Sequence, residues 1–250
     1  MRSALRLLVP CILSIAALMP QSTAAQETLR IGVASNFSPT LKALSKVYTV
    51  RTGVTVSISS ASTGVLYNQV VYGAPFDLLL AADSERPAKL VAEQHALAAS
   101  LTTYAIGNLV LAYRPDLPLS DTGSIEALLA QPGLTLAVAN PEFAPYGRAG
   151  IEVLKRFGPV EQRRLLAVNA AQALQMLVAG GADLALVARA QRPQHGLAIP
   201  RDWYSPILQQ AVILREAQRP ELAQAFLAWL RSAEATAIIQ QHGYTLPDHG

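Results

Sequence analysis

Short apolar segments alternate with helix-like segments along this chain, and turns rich in Ser, Asn, Pro and Gly join them. Residues 29–34 are typical of a buried strand, the turn 35–37 follows, and Ser38-Pro39 forms a helix cap with proline at the first helical position. A second unit repeats this order, with a strand at 54–59 and a turn at 61–64 that leads into a helix. The alternation predicts an α/β fold with a mainly parallel sheet.

The same alternation continues along the chain and restarts after Gly107. A chain of 250 residues is long enough for two lobes with separate cores. Crossovers near 104–107 and 205–209 predict two Rossmann-like lobes with a ligand cleft between them, lobe 1 from 26–105 plus 208–250 and lobe 2 from 106–207. Further strands are predicted at 76–81, 109–113, 134–139, 165–168, 183–188 and 207–214, and further helices at 87–94, 124–129, 148–157, 170–179, 220–230 and 233–241.

Residues 1–25 have the composition of a secretory signal peptide. Arg2 and Arg6 precede an apolar run of about 13 residues, and small residues up to Ala25 offer a cleavage site. The run is shorter than the ~20 residues that a membrane-spanning helix needs. We therefore expect secretion to the periplasm, with cleavage near Ala25 and release of a soluble mature protein.

The predicted signal peptide also contains Cys11, which is the only cysteine of the chain. The mature protein would then have no disulfide, thiol nucleophile or thiolate metal site. Loss of Arg2 and Arg6 from the 20 basic residues would leave 18 against 17 acidic residues. Because such a nearly neutral protein has no basic field to attract phosphates, we expect no nucleic-acid partner.

Four of the turns that start helices are rich in small residues and hydrogen-bond donors, two in each predicted lobe. In parallel α/β sheets such turns direct unpaired N–H groups and the positive ends of helix dipoles at a ligand, which suits an anion. None of the four contains Lys, Arg, Asp or Glu, and a donor-only site suits molybdate or sulfate, which carry no proton at neutral pH. Taken singly, each turn is better explained as an ordinary helix cap. The turns are Ser35-Asn36, Ser62-Thr63-Gly64, Pro145-Tyr146-Gly147 and Asn169-Ala170.

Several segments, taken in their order and spacing, resemble the periplasmic molybdate-binding proteins of ABC importers, and the resemblance covers essentially the whole mature chain. The segments are Val33-Ala34-Ser35-Asn36-Phe37, Ser60-Ala61-Ser62-Thr63-Gly64-Val65-Leu66-Tyr67, Gly73-Ala74-Pro75-Phe76-Asp77 with Ala82-Asp83, Tyr104-Ala105-Ile106-Gly107-Asn108-Leu109-Val110-Leu111, and Ala144-Pro145-Tyr146-Gly147. The resemblance implies the type II periplasmic binding protein fold and an oxyanion held between the lobes.

The resemblance also implies which residues hold the oxyanion. Hydroxyl groups of Ser35 and Thr63 and backbone N–H groups of Tyr146 and Ala170 are the implied donors. One branch of the family uses an amide at the position of Asn36 as a further donor. That branch, like this chain, lacks the ligand-contacting tyrosine found after the fourth turn in the better-known branch. Ser62 is the alternative hydroxyl donor beside Thr63.

Other polar residues are not expected to do chemistry. Asp77 and Asp83 are interpreted as groups that cap turns or orient backbone at strand ends, and the pair Trp203-Tyr204 as packing at a crossover. The four histidines have no partner at metal-ligand spacing, and no nucleophile elbow, P-loop or Gly-x-Gly-x-x-Gly motif occurs. A regulatory effector domain can share the two-lobed fold but would carry a DNA-binding motif instead of a signal peptide.

The sequence therefore predicts a monomeric binding protein without enzymatic activity that captures molybdate, and also tungstate, and delivers it to an inner-membrane ABC permease. It would need no cofactor, and molybdenum would be bound only as the oxyanion, through Ser35, Asn36, Ser62, Thr63, Tyr146 and Ala170. The alternatives are a receptor for sulfate or another tetrahedral oxyanion, and a secreted α/β enzyme.

Overall fold

The computed structural model describes residues 27–117, 124–158, 163–191 and 193–247. The predicted signal peptide and Cys11 lie outside these residues. Within them, no helix is long and apolar enough to cross a membrane. The strands are β1 (Thr28–Ala34), β2 (Thr55–Ala61), β3 (Leu78–Leu80), β4 (Thr102–Gly107), β5 (Leu109–Tyr113), β6 (Thr135–Ala139), β7 (Arg163–Ala167), β8 (Leu184–Ala188), β9 (Gly196–Ala198) and β10 (Ile207–Ile213). The helices are α1 (Ser38–Thr52), α2 (Thr63–Val71), α3 (Glu85–Ala92), α4 (Ile125–Ala130), α5 (Pro145–Arg156), α6 (Ala170–Val178), α7 (Pro220–Leu230) and α8 (Ala233–Gln241).

These strands form two five-stranded sheets, one in each lobe, and the prediction of a two-lobed α/β fold is confirmed. Lobe 1 has the strand order β2-β1-β3-β10-β4, and lobe 2 has the order β7-β6-β8-β5-β9. Separate apolar clusters cover the faces of the two sheets, with Phe37 and Phe226 among the buried residues of lobe 1 and Leu136 and Leu186 among those of lobe 2. Each lobe thus has a core of its own.

The prediction of a mainly parallel sheet is wrong, because each sheet contains two antiparallel pairings. In lobe 1, β10 is antiparallel to both β3 and β4, and in lobe 2, β5 is antiparallel to both β8 and β9. The crossovers explain the difference in lobe 1: the chain leaves along β4 and returns along β10, so the two run side by side in opposite directions, with Ile207 opposite Gly107. The strands β4 and β9 were not predicted.

The parallel strand pairs place four helix N-termini at the same edges of the two sheets. In lobe 1, β1 and β2 end level with one another, with Ala34 opposite Ala61. In lobe 2, β6 and β7 end in the same way, with Ala139 opposite Ala167. Because α1, α2, α5 and α6 follow these four strands, their N-termini occupy equivalent places in the two lobes.

At the turns predicted to hold the anion, two helix starts differ from the prediction. Ser38 is already helical, and Phe37 occupies the cap position without a side-chain hydrogen bond. Helix α5 begins at Pro145 instead of residue 148, so Tyr146 and Gly147 belong to its first turn and not to a loop. Only glycine fits at position 147, because a Cβ atom there would overlap the carbonyl oxygen of Ala139. The absence of a side chain lets this helix start lie against the end of β6.

Candidate functional site

The N-termini of α1, α2, α5 and α6 meet around one small cavity between the lobes. The volume of the cavity is about 10 Å³, far below the ~300 Å³ at which pockets for drug-sized organic ligands begin. It therefore suits a small ion. The lining contains all six residues predicted to bind the anion and no charged side chain; its members are Ala34, Ser35, Asn36, Ser62, Thr63, Ala144, Pro145, Tyr146 and Ala170.

The first turn of the site follows β1 and contributes Ser35 and Asn36, both buried. The backbone N–H of Ser35 donates to the carbonyl oxygen of Ala61 at 2.8 Å, so the hydroxyl is the group that Ser35 can offer a ligand. The next backbone N–H, that of Asn36, has no hydrogen-bond partner among the described residues. This turn thus presents a hydroxyl and an N–H to the cavity.

The side chain of Asn36 is hydrogen-bonded to other residues of the protein. Its amide nitrogen donates to Gln209 Oε1 at 2.8 Å and to the Tyr244 hydroxyl at 3.0 Å, which occupies both amide hydrogens. The Tyr244 hydroxyl in turn donates to the carbonyl oxygen of Asn36 at 3.0 Å. These bonds join the first turn to β10 and to the segment after α8, so Asn36 holds the turn in place.

The second turn follows β2 and contributes two buried hydroxyl groups. The Thr63 oxygen accepts the backbone N–H of Ala82 at 3.0 Å, which leaves its own hydrogen free to be donated. Ser62 occupies the cap position of α2 but makes no capping bond, and its buried hydroxyl has no hydrogen-bond partner within the described ranges. Since buried hydroxyl groups are nearly always hydrogen-bonded, the Ser62 hydroxyl is a second candidate donor beside Thr63.

The third turn places Tyr146 at the second position of α5, after Pro145. The N–H groups of Gly147 and Arg148 both donate to the carbonyl oxygen of Ala144, whereas the N–H of Tyr146 has no partner in the part of the chain that the structure describes. The buried Tyr146 hydroxyl makes no hydrogen bond of standard geometry either. Burial raises the pKa of this hydroxyl well above its ordinary value, and the nearby Tyr244 raises it further, so the side chain stays neutral.

The fourth turn is built by Asn169, the cap of α6. Its side-chain oxygen accepts the N–H of Gln172 at 3.0 Å, and its carbonyl oxygen accepts that of Ala173 at 3.1 Å. The N–H of Ala170, the first helical residue, has no partner among the described residues, and Ala170 is buried against the cavity. A helix start of this kind carries a partial positive charge directed at the cavity.

Two aspartates flank β3, Asp83 on the side of the cavity and Asp77 at the opposite end of the strand. Asp83 is held by Arg86 at 2.6 Å and by Arg148 at 2.8 Å, so its charge is compensated. Asp77 accepts backbone N–H groups of Arg30 and Gln218, both at 2.8 Å. The interpretation of Asp77 and Asp83 as groups that orient backbone at strand ends is confirmed, since Asp83 also accepts the N–H of Arg86 at 3.0 Å.

The remaining polar candidates lie away from the cavity. Trp203 packs against Phe157, and the Tyr204 hydroxyl accepts the backbone N–H of Leu109 at 3.0 Å, which confirms a packing role at the crossover. Among the described residues, no group of three or more His, Cys, Asp and Glu is placed to hold a metal ion. Sequence reasoning missed Gln209 and Tyr244, and no local pattern marks either, because their partner Asn36 is 173 and 208 residues away.

Comparison with known proteins agrees with this geometry. The family model for bacterial extracellular solute-binding proteins matches residues 29–245. The molybdate-binding protein ModA of Rhodobacter capsulatus is 35% identical over 219 residues, which cover 85% of this chain and 86% of that protein. ModA of Azotobacter vinelandii is 36% identical over 228 residues, covering 87% and 90%. The structure of the A. vinelandii periplasmic molybdate-binding protein superimposes with a TM-score of 0.82 at 37% identity, over 88% of this chain and 100% of that one.

Proposed function

This chain belongs to the bacterial extracellular solute-binding proteins, and we propose that it captures molybdate between its two lobes and delivers it to an ABC importer. It is a binding protein and not an enzyme. The observation that carries the proposal is the meeting of four helix N-termini around one small cavity lined by hydroxyl and N–H donors and by no charged side chain. Anions bind at helix N-termini because unpaired N–H groups and the helix dipole both favour negative charge there.

We assign the donors from the hydrogen bonds that each group leaves unmade. Lobe 1 supplies the hydroxyl groups of Ser35, Ser62 and Thr63 and the backbone N–H of Asn36. Lobe 2 supplies the backbone N–H groups of Tyr146 and Ala170. A tetrahedral oxyanion has four oxygen atoms, each able to accept more than one hydrogen bond, and these six donors surround the cavity from both sides.

The donor set favours molybdate over phosphate. Phosphate keeps a proton part of the time at neutral pH and is better held with the help of a carboxylate acceptor, and no Asp or Glu lines the cavity. Sulfate has the same charge and shape as molybdate, so only the size of the cavity separates the two. The identity of the relatives favours molybdate, and sulfate is the second candidate. Tungstate, nearly equal to molybdate in size, should bind as well.

Binding would close the two lobes, since neither of them contains all the donors. We propose lobe 1 as residues 26–105 plus 208–250 and lobe 2 as 106–207, with β4 and β10 forming the connection. A hinge motion at that connection would let the anion enter and leave. The protein would act in the periplasm as a monomer after removal of residues 1–25, and an inner-membrane permease would accept the anion from the closed form.

Calorimetric titration of the purified mature protein with molybdate, tungstate, sulfate and phosphate tests the proposal. We expect molybdate and tungstate to bind with similar affinity, sulfate to bind at least about tenfold more weakly, a difference of about 1.4 kcal/mol, and phosphate more weakly still. Tighter binding of sulfate than of molybdate would establish the second candidate. No heat of binding with any of the four anions would refute an oxyanion receptor.

A further inference from the structure

Beside the anion cavity, polar contacts cross directly from lobe 1 to lobe 2. The backbone N–H of Gly64 in α2 donates to the carbonyl oxygen of Phe143 at 2.9 Å. The guanidinium group of Arg86 in α3 donates to the carbonyl oxygen of Glu142 at 2.7 Å. Gly64 allows this approach, because a Cβ atom there would lie 3.0 Å from the Cα atom of Phe143. The two lobes are in direct contact here.

Ion pairs extend this contact to the start of α5. Arg148 in lobe 2 donates to Asp83 at 2.8 Å and to Glu85 at 2.6 Å, and both carboxylates belong to lobe 1. The same Asp83 oxygen accepts Arg86 at 2.6 Å. The Asp83 and Arg86 side chains are 10% and 12% exposed, so this part of the cluster is largely shielded from water. The Arg148 guanidinium holds the pKa of Glu85 below its ordinary value, which keeps the outer carboxylate charged.

The cluster is joined to both halves of the proposed anion site through neighbouring backbone. On the side of lobe 1, the Thr63 hydroxyl accepts the N–H of Ala82, the residue before Asp83. On the side of lobe 2, Tyr146 and Arg148 share the first turns of α5. A change in lobe separation that breaks the pair between Arg148 and Asp83 would therefore also separate Tyr146 from Thr63.

We propose that Arg86 and Arg148 are positioning residues that latch the lobes shut over the bound anion and set how fast it is released. This inference rests on the proposed function for the identity of the ligand. Two guanidinium groups face two carboxylates in the cluster, so it has no net charge with which to attract an anion. Its effect falls on the stability of the closed state, and therefore on the dissociation rate more than on the association rate.

The test compares Arg148→Met with wild-type protein in stopped-flow measurements of molybdate association and release. Met keeps much of the apolar stem and removes the donors. We expect release to be at least about fivefold faster, because the variant breaks a partly buried pair and leaves Asp83 with one guanidinium partner. Association should change less than release does, and any change should be an increase, because more of the ligand-free variant is open. Arg148→Lys, which retains one of the two ion pairs, should release molybdate at an intermediate rate.

The matched control is Arg51→Met. Arg51 pairs with Glu234 at 3.4 Å, and both residues lie in lobe 1, on the far side from the cleft. The Arg51→Met variant loses an ion pair and a positive charge, as Arg148→Met does, but it loses no contact between the lobes. We expect wild-type release from this variant. Equal release rates in Arg148→Met and Arg51→Met would overturn the latch.

Two further variants separate the latch from general damage to the fold. Glu85→Gln weakens only the pair between Glu85 and Arg148. Its effect on release should be much smaller in the Arg148→Met background than in wild type, because both changes remove this same contact. Gly64→Ala should hold the lobes apart by steric contact with Phe143 and also speed release. The ligand-free melting temperatures of these variants should stay near that of wild type. Full additivity of Glu85→Gln and Arg148→Met would contradict a shared contact.

Small-angle scattering without ligand gives a second readout that does not depend on which anion binds. The latch predicts a larger radius of gyration for Arg148→Met and for Gly64→Ala than for wild type and Arg51→Met. If wild type binds no molybdate, the proposed function fails, and the scattering comparison alone decides on the latch. Identical radii for all four proteins would then overturn it.

Discussion

The hydroxyl of Thr63 can donate to an anion because its oxygen already accepts the N–H of Ala82. Thr63→Val keeps the shape and removes the hydroxyl. We expect affinity for molybdate to fall about 10- to 100-fold, since hydrogen bonds to charged groups contribute about 1.5–3 kcal/mol. Thr63→Ser, which keeps the hydroxyl, should bind within a few-fold of wild type. Calorimetry measures both affinities.

The same variant should also lose stability, which provides an internal check. Removal of the Thr63 oxygen leaves the buried N–H of Ala82 without a partner, at a cost of about 1–3 kcal/mol in the free energy of unfolding. Chemical denaturation without ligand measures this loss. If Thr63→Val is destabilised as expected but binds molybdate with wild-type affinity, Thr63 supports the turn and is not a donor to the anion.

Gly107, the last residue of β4, leaves the space that the Tyr146 hydroxyl occupies. A Cβ atom at residue 107 would overlap the Tyr146 hydroxyl, so Gly107→Ala should oppose the closed state and weaken molybdate binding at least about tenfold. Tyr146→Phe removes the overlapping atom and should restore part of the lost affinity in the double variant. Calorimetry on the two single variants and the double variant tests this. Equal affinities of Gly107→Ala and the double variant would contradict the steric explanation.

The starts of α1, α2, α5 and α6 are the elements on which the site depends, and α6 offers a direct test. Proline is tolerated at the first helical position, where the N–H has no partner within the helix. Asn169, with φ −156° and ψ 173°, is in the extended region that a following proline requires. Ala170→Pro should therefore preserve α6, remove one donor and lower molybdate affinity about tenfold or more.

The control for this change is Ala233→Pro at the start of α8, which has the same first position behind a serine cap. Residue 233 is exposed and does not line the cavity. Circular dichroism should show unchanged helix content in both variants, and calorimetry should show weaker binding only in Ala170→Pro. Weaker binding in both variants would indicate a general effect of proline on the fold.

The elements were largely predictable because their signals are local. Apolar periodicity located β5, α7 and α8 at their observed bounds, and cap residues placed Asn169 before α6. The start of α5 was missed because Pro-Tyr-Gly is also a common loop sequence, and only the packing of Gly147 against Ala139 decides between the two. Strand direction was missed in β10 for a similar reason, since its partners β3 and β4 are more than 100 residues away.

At the scale of the whole molecule, a ligand that binds only the folded protein must stabilise it. Molybdate at about 100 times its dissociation constant should add about 2.7 kcal/mol to the free energy of unfolding. For a chain of this size we expect the melting temperature to rise by about 5–10 °C. Differential scanning fluorimetry with molybdate and with sulfate at equal concentration measures the shift. A larger shift with sulfate would favour the sulfate receptor, and no shift with either anion would contradict tight binding.

The sequence by itself determined the α/β class, the two lobes and the four donor-bearing turns, because strand propensity, helix caps and apolar periodicity act over a few residues. It also placed six candidate residues that the fold brings to one cavity. Tertiary structure alone decided how their atoms are used. The Asn36 amide turns to Gln209 and Tyr244, and Arg148 of one lobe meets Asp83 of the other, 65 residues away. These contacts join residues that are distant in the chain, so they form only when the fold brings their elements together.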